Sequence, residues 1–87
     1  MSYAQLQVSG IVTDDSNETL IGATVSIKGT STGTTTDVNG YYQINFDDPA
    51  AILVISYVGY TSKEIAVAGR PIINVELAFG DNISEGK

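Results

Sequence analysis

Cysteine and histidine are both absent from this chain of 87 residues. Their absence excludes disulfide bonds, thiol nucleophiles, imidazole bases and the usual zinc ligand sets. Serine and threonine are abundant, but a hydroxyl group without a histidine base has little to activate it. A Ser–Lys pair that uses Lys28 or Lys63 stays open as a nucleophilic arrangement. We therefore predict a non-catalytic domain without a cofactor.

Positive charge is also scarce, since ten carboxylates stand against four cations and the formal net charge is −6. Such a surface repels the phosphates of nucleic acids and of anionic lipids, so neither is expected as a partner. No apolar run approaches the roughly 20 residues that a membrane-spanning helix needs. No hydrophobic core of a signal peptide is present either. The domain itself is predicted to stay outside the membrane.

Glycine and β-branched residues are frequent, and this mixture favours short strands joined by tight turns. Apolar and polar residues alternate in several segments, as in the row formed by Val8, Gly10 and Val12. The predicted strands are residues 5–13, 23–28, 34–37, 41–46, 52–58, 61–67 and 73–77. Two antiparallel sheets packed face to face, with Greek-key connections, would bury the apolar rows. The sequence thus predicts an all-β sandwich.

The segment from residue 52 to 58 is nearly all apolar and is interrupted only by Ser56. A run of this kind predicts a central strand that is covered on both sides.

The domain organisation follows from the same patterns. Residues 1–4 are interpreted as leader or added residues, residues 5–79 as the sandwich, and residues 80–87 as a flexible polar tail.

Residues 37–40 resemble the beginning of a calcium loop, with Asp37 and Asn39 as oxygen ligands before a glycine. A complete loop needs a further ligand and a bidentate glutamate downstream, where Tyr41 and Tyr42 stand instead. The alternative is a turn in which Asp37 accepts hydrogen bonds from backbone N–H groups. We favour the turn, so no metal site is predicted, and Asp37 and Asn39 stay weak candidates.

Carboxylates cluster in two predicted loops, one with Asp14, Asp15 and Glu18 and the other with Asp47 and Asp48. Paired carboxylates hydrolyse glycosides only when the fold sets them across a cleft at about 5–10 Å. Surface turns of a small sandwich seldom offer such a cleft. We interpret both clusters as solvated turn residues, with weak cation binding as the alternative.

Four tyrosines have the chemistry of a stacking platform for sugar rings: Tyr41, Tyr42, Tyr57 and Tyr60. Neighbouring residues of a strand point to opposite faces, so Tyr42 is predicted to lie in the core and Tyr41 to point outward. A glycan-binding surface is therefore a secondary interpretation.

A known family pattern is present in four segments: VSGIVTD (8–14), LIGATVSIKGTSTGTTTDVNGYYQINF (20–46), LVISYVGYTSKEIAV (53–67) and INVELA (73–78). Together they resemble the carboxypeptidase-regulatory-like domain, which implies a seven-stranded prealbumin-like, or transthyretin-like, sandwich. The pattern is most similar to the N-terminal extension of SusC/RagA-type TonB-dependent outer-membrane transporters of Bacteroidetes. The structural-motif residues are Gly10, Gly22, Gly29, Asp37, Gly40, Tyr42, Tyr57, Gly59 and Tyr60.

In that family the domain is non-catalytic and lies in the periplasm, ahead of the plug and barrel of a transporter for glycans or peptides. The resemblance implies the plug, the barrel and the TonB-type energy-transducing machinery as partners, at the periplasmic face of the outer membrane. Exposed strand edges and the polar segment 30–36 are the expected contact surfaces.

One departure from the family pattern is that no TonB box follows Leu77 before the sequence ends. Either this sequence stops before that box, or the parent protein is a different one that carries the same module. Two alternatives from other classes therefore stay open. The chain could be a carbohydrate-binding or adhesive module of an exported protein, or a scaffold domain beside a carboxypeptidase.

Overall fold

The computed structural model describes residues 6–80, so the predicted leader and all but the first residue of the predicted tail lie outside the described range. The strands are β1 (Leu6–Asp14), β2 (Thr24–Ile27), β3 (Gly33–Thr35), β4 (Tyr41–Phe46), β5 (Ile52–Ser56), β6 (Lys63–Ala66) and β7 (Val75–Leu77). Each predicted strand is present, with bounds that differ by at most two residues. Across residues 6–80, no helix is long and apolar enough to cross a membrane.

The strands form two sheets, with the orders β4-β1-β7 and β3-β2-β5-β6. The connections after β1, β3, β4 and β6 cross from one sheet to the other. This confirms the predicted all-β sandwich with seven strands. One pair differs from the antiparallel expectation, because β7 runs parallel to β1. β7 enters its sheet by a crossover from β6 in the other sheet, so no hairpin forces it to be antiparallel.

The core lies between the sheets, and β4 shows most clearly how apolar residues face the core and polar residues face outward. Its residues alternate strictly between exposed and buried, from exposed Tyr41 to buried Phe46. Tyr42 is 1% exposed and Tyr41 is 40% exposed, so the predicted orientation of the two rings is confirmed. A strand of period two therefore places one apolar row against the facing sheet.

The central strand β5 is covered on one side only. Leu53 and Ile55 are fully buried, whereas Ile52 and Val54 on the other face are half-buried. The prediction of cover on both sides is wrong. The facing sheet covers the inner row, and no third layer packs on the outer row among the described residues.

Gly10 marks the closest approach between β1 and the segment that leads into β7. A Cβ atom at Gly10 would overlap the carbonyl oxygen of Ile73. Tyr42, which lies opposite Gly10 in the β1–β4 pair, donates a hydrogen bond of 2.7 Å from its hydroxyl to that same oxygen. Backbone therefore fills the space beside Gly10, and the tyrosine hydroxyl satisfies a carbonyl that burial would otherwise leave unpaired.

The hydrogen-bond ladder between β1 and β7 is interrupted beside Gly10. The N–H of Ile11 donates to the side-chain oxygen Oδ1 of Asn74 at 3.0 Å instead of to a backbone carbonyl. The Asn74 amide and the Tyr42 hydroxyl thus complete the hydrogen bonding where the two backbones come too close for a regular ladder. Sequence analysis missed Asn74, whose partner is 63 residues away along the chain.

The buried hydroxyl of Tyr42 makes the stability of the fold depend on pH. Burial raises the pKa of Tyr42 to about 12, although the positive charge of Arg70 acts in the opposite direction. Because the folded-state pKa exceeds the unfolded one, the stabilisation is complete below about pH 10 and is lost as the pH rises through about 12. We expect the free energy of unfolding to fall by about 2–3 kcal/mol across that window.

Urea unfolding at a series of pH values measures this loss, and Tyr42→Phe is the matched control. The variant keeps the ring but has no proton to lose, so its pH profile should lack the Tyr42 contribution. Identical pH profiles for the two proteins would contradict the assignment.

Candidate functional site

The strand directions bring four loops to one end of the sandwich. β1, β3, β5 and β7 all run toward this end, and residues 15–23, 36–40, 57–62 and 78–80 follow them. Contacts join the loops, because Tyr60 pairs with Phe79 and Gly40 lies against Thr19. We call these four loops, together with Asp14, the acidic–aromatic end.

Three aromatic rings form a cluster at this end. The ring centroids of Tyr57 and Tyr60 are 5.5 Å apart, and those of Tyr60 and Phe79 are 5.4 Å apart in an edge-to-face arrangement. A tight turn presents the cluster, since the N–H of Tyr60 donates to the carbonyl of Tyr57 at 2.9 Å and Gly59 has φ 86°. Val58 forms the tip of the turn and is 89% exposed.

The backbone after β7 is fixed to the same turn. Gly80 donates its N–H to the carbonyl of Gly59 at 2.9 Å, and Thr61 donates to the carbonyl of Ala78 at 3.0 Å. The SYVGY motif therefore has a structural role, because it holds the segment that follows the last strand.

The acidic loop after β1 lies beside the aromatic cluster. Asp14 organises it by accepting backbone hydrogen bonds at Oδ1 from Ser16 (2.8 Å) and Glu18 (3.0 Å). Asp15 and Glu18 are exposed. Partial burial raises the pKa of Tyr60, and the negative charges of Asp14, Asp15 and Glu18 raise it further. The carboxylates are thus near enough to act on the ring electrostatically.

The residues proposed as a weak calcium site form a turn. Asp37 accepts hydrogen bonds at Oδ1 from the N–H groups of Asn39 (2.9 Å) and Tyr41 (3.0 Å). The N–H of Gly40 donates to the Asp37 carbonyl at 2.9 Å. Within residues 6–80, no group of three His, Cys, Asp or Glu side chains is placed to hold a metal ion.

We expect Asp37→Ala to lower the free energy of unfolding by about 1 kcal/mol or more, because two backbone N–H groups lose their acceptor. Asp37→Asn keeps one acceptor oxygen and should lose less. Thermal unfolding with and without calcium gives the measurement. A fully stable alanine variant, or a calcium-dependent melting temperature that Asp37→Ala abolishes, would instead favour a metal site.

The remaining candidates are not brought together. Asp47 and Asp48 lie in the loop after β4, at the opposite end from Asp14, and the N–H of Ala50 donates to Oδ1 of Asp48 at 2.9 Å. The four tyrosines do not share one surface, because Tyr42 is buried and Tyr41 lies on the exposed face of the other sheet.

Sequence analysis also missed the role of Thr36, the one buried polar residue identified among residues 6–80. Its Oγ1 donates to the carbonyl of Leu20 at 2.6 Å and accepts the N–H of Ala23 at 2.9 Å. Thr36 therefore fixes the loop between β1 and β2 against β3. The segment 30–36, predicted as a polar contact surface, loses this residue to the interior.

The motif glycines after Gly10 share a left-handed backbone, with φ between 75° and 86°: Gly22, Gly29, Gly40 and Gly59. At Gly40 space is restricted as well, because a Cβ atom would come within 2.7 Å of the Cβ of Thr19. This position therefore excludes other residues on two independent grounds.

Known proteins with a similar sequence are TonB-dependent receptors. The chain is 44% identical over 66 residues to the TonB-dependent receptor SusC of Bacteroides thetaiotaomicron, which covers 76% of this chain and 6% of that protein. It is 41% identical over 83 residues to a TonB-dependent receptor of Formosa agariphila, which covers 95% of this chain and 8% of that protein. The chain thus spans less than a tenth of the length of these relatives.

Among solved structures, the chain is similar to one chain of a type II cohesin–X-dockerin complex from Acetivibrio cellulolyticus. The TM-score is 0.70 and the identity 25%, over 87% of this chain and 59% of that one. The model of the CarboxypepD_reg-like domain matches residues 8–85. The sandwich, its motif residues and this match agree with the resemblance found in the sequence: the chain belongs to the CarboxypepD_reg-like domain family.

Proposed function

We propose that this chain is a non-catalytic accessory domain of a TonB-dependent transporter for glycans or peptides, and that it acts through protein contacts. The observation that carries the proposal is the 44% identity to the TonB-dependent receptor SusC over 76% of the chain. The relatives are much longer than this chain, so transport itself would belong to the rest of the protein. The domain would lie at the periplasmic face of the outer membrane, where the TonB-type machinery is also available as a partner.

The described surface supports contact rather than catalysis. A shallow groove of about 420 Å³ is lined by Gly22, Thr24, Ser56, Tyr57 and Val58. Its only titratable group is a tyrosine, so it offers no acid–base pair for a reaction. The carboxylates at both ends of the sandwich organise turns or face solvent.

A second candidate is an adhesive module of an exported multidomain protein. The observation that favours it is the TM-score of 0.70 to a chain of a cohesin–X-dockerin complex. Glycan binding has less support, because the rings of Tyr57, Tyr60 and Phe79 are tilted against one another and form no common flat platform for a sugar.

The gene that encodes this chain gives the first test. A TonB box followed by a plug and a barrel after Lys87 is the expected result, whereas a hydrolase or a series of repeated modules would contradict the proposal. Deletion of residues 8–78 from the receptor should then reduce nutrient import while the receptor stays in the outer membrane. Unchanged import would refute an accessory role.

A further inference from the structure

The acidic–aromatic end concentrates exposed apolar side chains. Four of the seven large hydrophobic residues that are exposed within residues 6–80 lie in its loops: Ile21, Val38, Val58 and Phe79. They are 54%, 73%, 89% and 53% exposed. Apolar groups gathered at one end, with polar residues around them, are typical of a surface that contacts another protein.

The tyrosines of this end have polar groups to offer as well. Neither the Tyr57 nor the Tyr60 hydroxyl forms a hydrogen bond to another described residue, in contrast to Tyr41 and Tyr42. The groove that leads from Gly22 to Val58 opens beside Tyr57. Thr24 and Ser56 in its lining are paired in the β2–β5 ladder, and Gly22 donates its N–H to the carbonyl of Thr36, so a bound segment would meet a surface that is already ordered.

The charged side chains of the acidic–aromatic end are all negative. Asp14, Asp15 and Glu18 form no ion pair with any cation among residues 6–80, where Lys28–Glu64 is the salt bridge observed. Lys63, at the start of β6, donates to the backbone carbonyl of Glu76, and Arg70 donates to carbonyls near the opposite end, so neither forms an ion pair with these carboxylates. The carboxylates do not form a metal site either. Their uncompensated negative charge favours a cationic partner.

We propose that the acidic–aromatic end docks a segment of another protein that carries lysine or arginine together with aliphatic side chains. Basic groups of the segment would lie on Asp15 and Glu18 and over the faces of Tyr57 and Tyr60, which attract cations. Aliphatic groups would cover Val58 and enter the neighbouring groove. The proposal rests on the proposed function only in that the domain acts through protein contacts.

The test is an NMR titration of the 15N-labelled chain with a short acetylated peptide in which lysine and arginine alternate with valine and leucine. We expect amide shifts in residues 14–18, 21–24, 57–61 and 79–80, and weaker binding at higher salt because the charges are exposed. A peptide with glutamate in place of each cation, and one with serine in place of each aliphatic residue, should not bind. Equal binding of the acidic peptide, shifts elsewhere, or no shifts would overturn the proposal.

Variants of exposed residues assign the binding to this surface without threatening the fold. Val58→Ser, and Asp15→Asn combined with Glu18→Gln, should each weaken binding about tenfold. The matched controls Ile72→Ser and Asp47→Asn remove an exposed apolar group and a carboxylate away from this end, and they should bind like the parent chain. Equal losses in the controls would show non-specific attraction and overturn the proposal.

Other occupants give different results in the same experiment. A chain that ends at Gly80 would shift these amides without any peptide if residues 81–87 occupied the surface, and dilution would shift them if a second copy did. Titration with maltohexaose or cellohexaose would shift them if the surface bound glycans. Each of these outcomes contradicts a basic protein partner but leaves the transporter assignment intact. A gene that encodes no plug and barrel would contradict the transporter assignment but leave the docking of a basic segment intact.

Discussion

Replacing Gly10 with alanine is expected to lower the free energy of unfolding by about 3 kcal/mol. The added Cβ atom would occupy the position of the Ile73 carbonyl oxygen, which is backbone and cannot rotate away. Relief requires the segment that leads into β7 to move off β1, and that movement would also stretch the hydrogen bond from Tyr42. Because domains of this size are stable by only about 5–15 kcal/mol, such a loss is a large fraction of the total.

Gly33→Ala is the matched control for this prediction. Gly33 also lies in a strand, but a Cβ atom there would meet the Cβ of Ser26 and the carbonyl oxygen of Val25, both at 3.3 Å, tight contacts that small shifts at the sheet edge can relieve. We expect a change within about 1 kcal/mol, measured by urea unfolding followed by circular dichroism. Equal stability of the Gly10 and Gly33 variants would contradict the close approach of the Ile73 backbone to β1.

The second large effect is expected at Thr36. Thr36→Val keeps the shape of the side chain but removes the hydroxyl, so the N–H of Ala23 loses its acceptor and the carbonyl of Leu20 loses its donor. Unpaired polar groups in the interior are costly, and we expect the free energy of unfolding to fall by about 2–4 kcal/mol.

Thr36→Ser separates the hydrogen bonds from the packing. Serine retains both bonds and loses one methyl group, so the expected cost is about 1 kcal/mol. Hydrogen exchange of the Ala23 amide gives a local measurement, since protection should persist in the serine variant and disappear in the valine variant. A valine variant as stable as the parent chain would show that Thr36 does not fix the β1–β2 loop.

The sequence predicted those structural features that depend only on residues close together along the chain. The alternation in β4 placed Tyr42 inside and Tyr41 outside, because each residue of a strand faces opposite to the next. The Asp37 turn was also predictable, since its hydrogen bonds reach only two and four residues along the chain.

Features that depend on distant partners were not predictable in the same way. The segment 30–36 looks uniformly polar, yet Thr36 is buried because its partners Leu20 and Ala23 lie 16 and 13 residues away. Period-two alternation is the same in parallel and antiparallel edge strands, so it gave no indication that β7 runs parallel to β1. Gly10 was visible as a motif residue, but the sequence did not show that the Ile73 carbonyl lies against it.

The acidic–aromatic end depends both on local motifs and on contacts between distant parts of the chain. The carboxylates of residues 14–18 and the SYVGY motif of residues 56–60 are each visible in the sequence. Their proximity arises only because β1 and β5 end on the same side of the sandwich, and Tyr60 senses the charge of Asp14 for that reason. Composition indicates an acidic domain, whereas topology gathers exposed carboxylates and aromatic rings into one surface.

The most direct measurement introduces Asp15→Asn, Glu18→Gln and Val58→Ser together into the full-length receptor that we propose contains this domain. Nutrient import, substrate affinity and receptor level are then measured in the same cells. We predict that import falls while affinity and receptor level stay unchanged, because the surface serves protein contact. Unchanged import, or a fall in import explained by lost substrate affinity, would contradict the account.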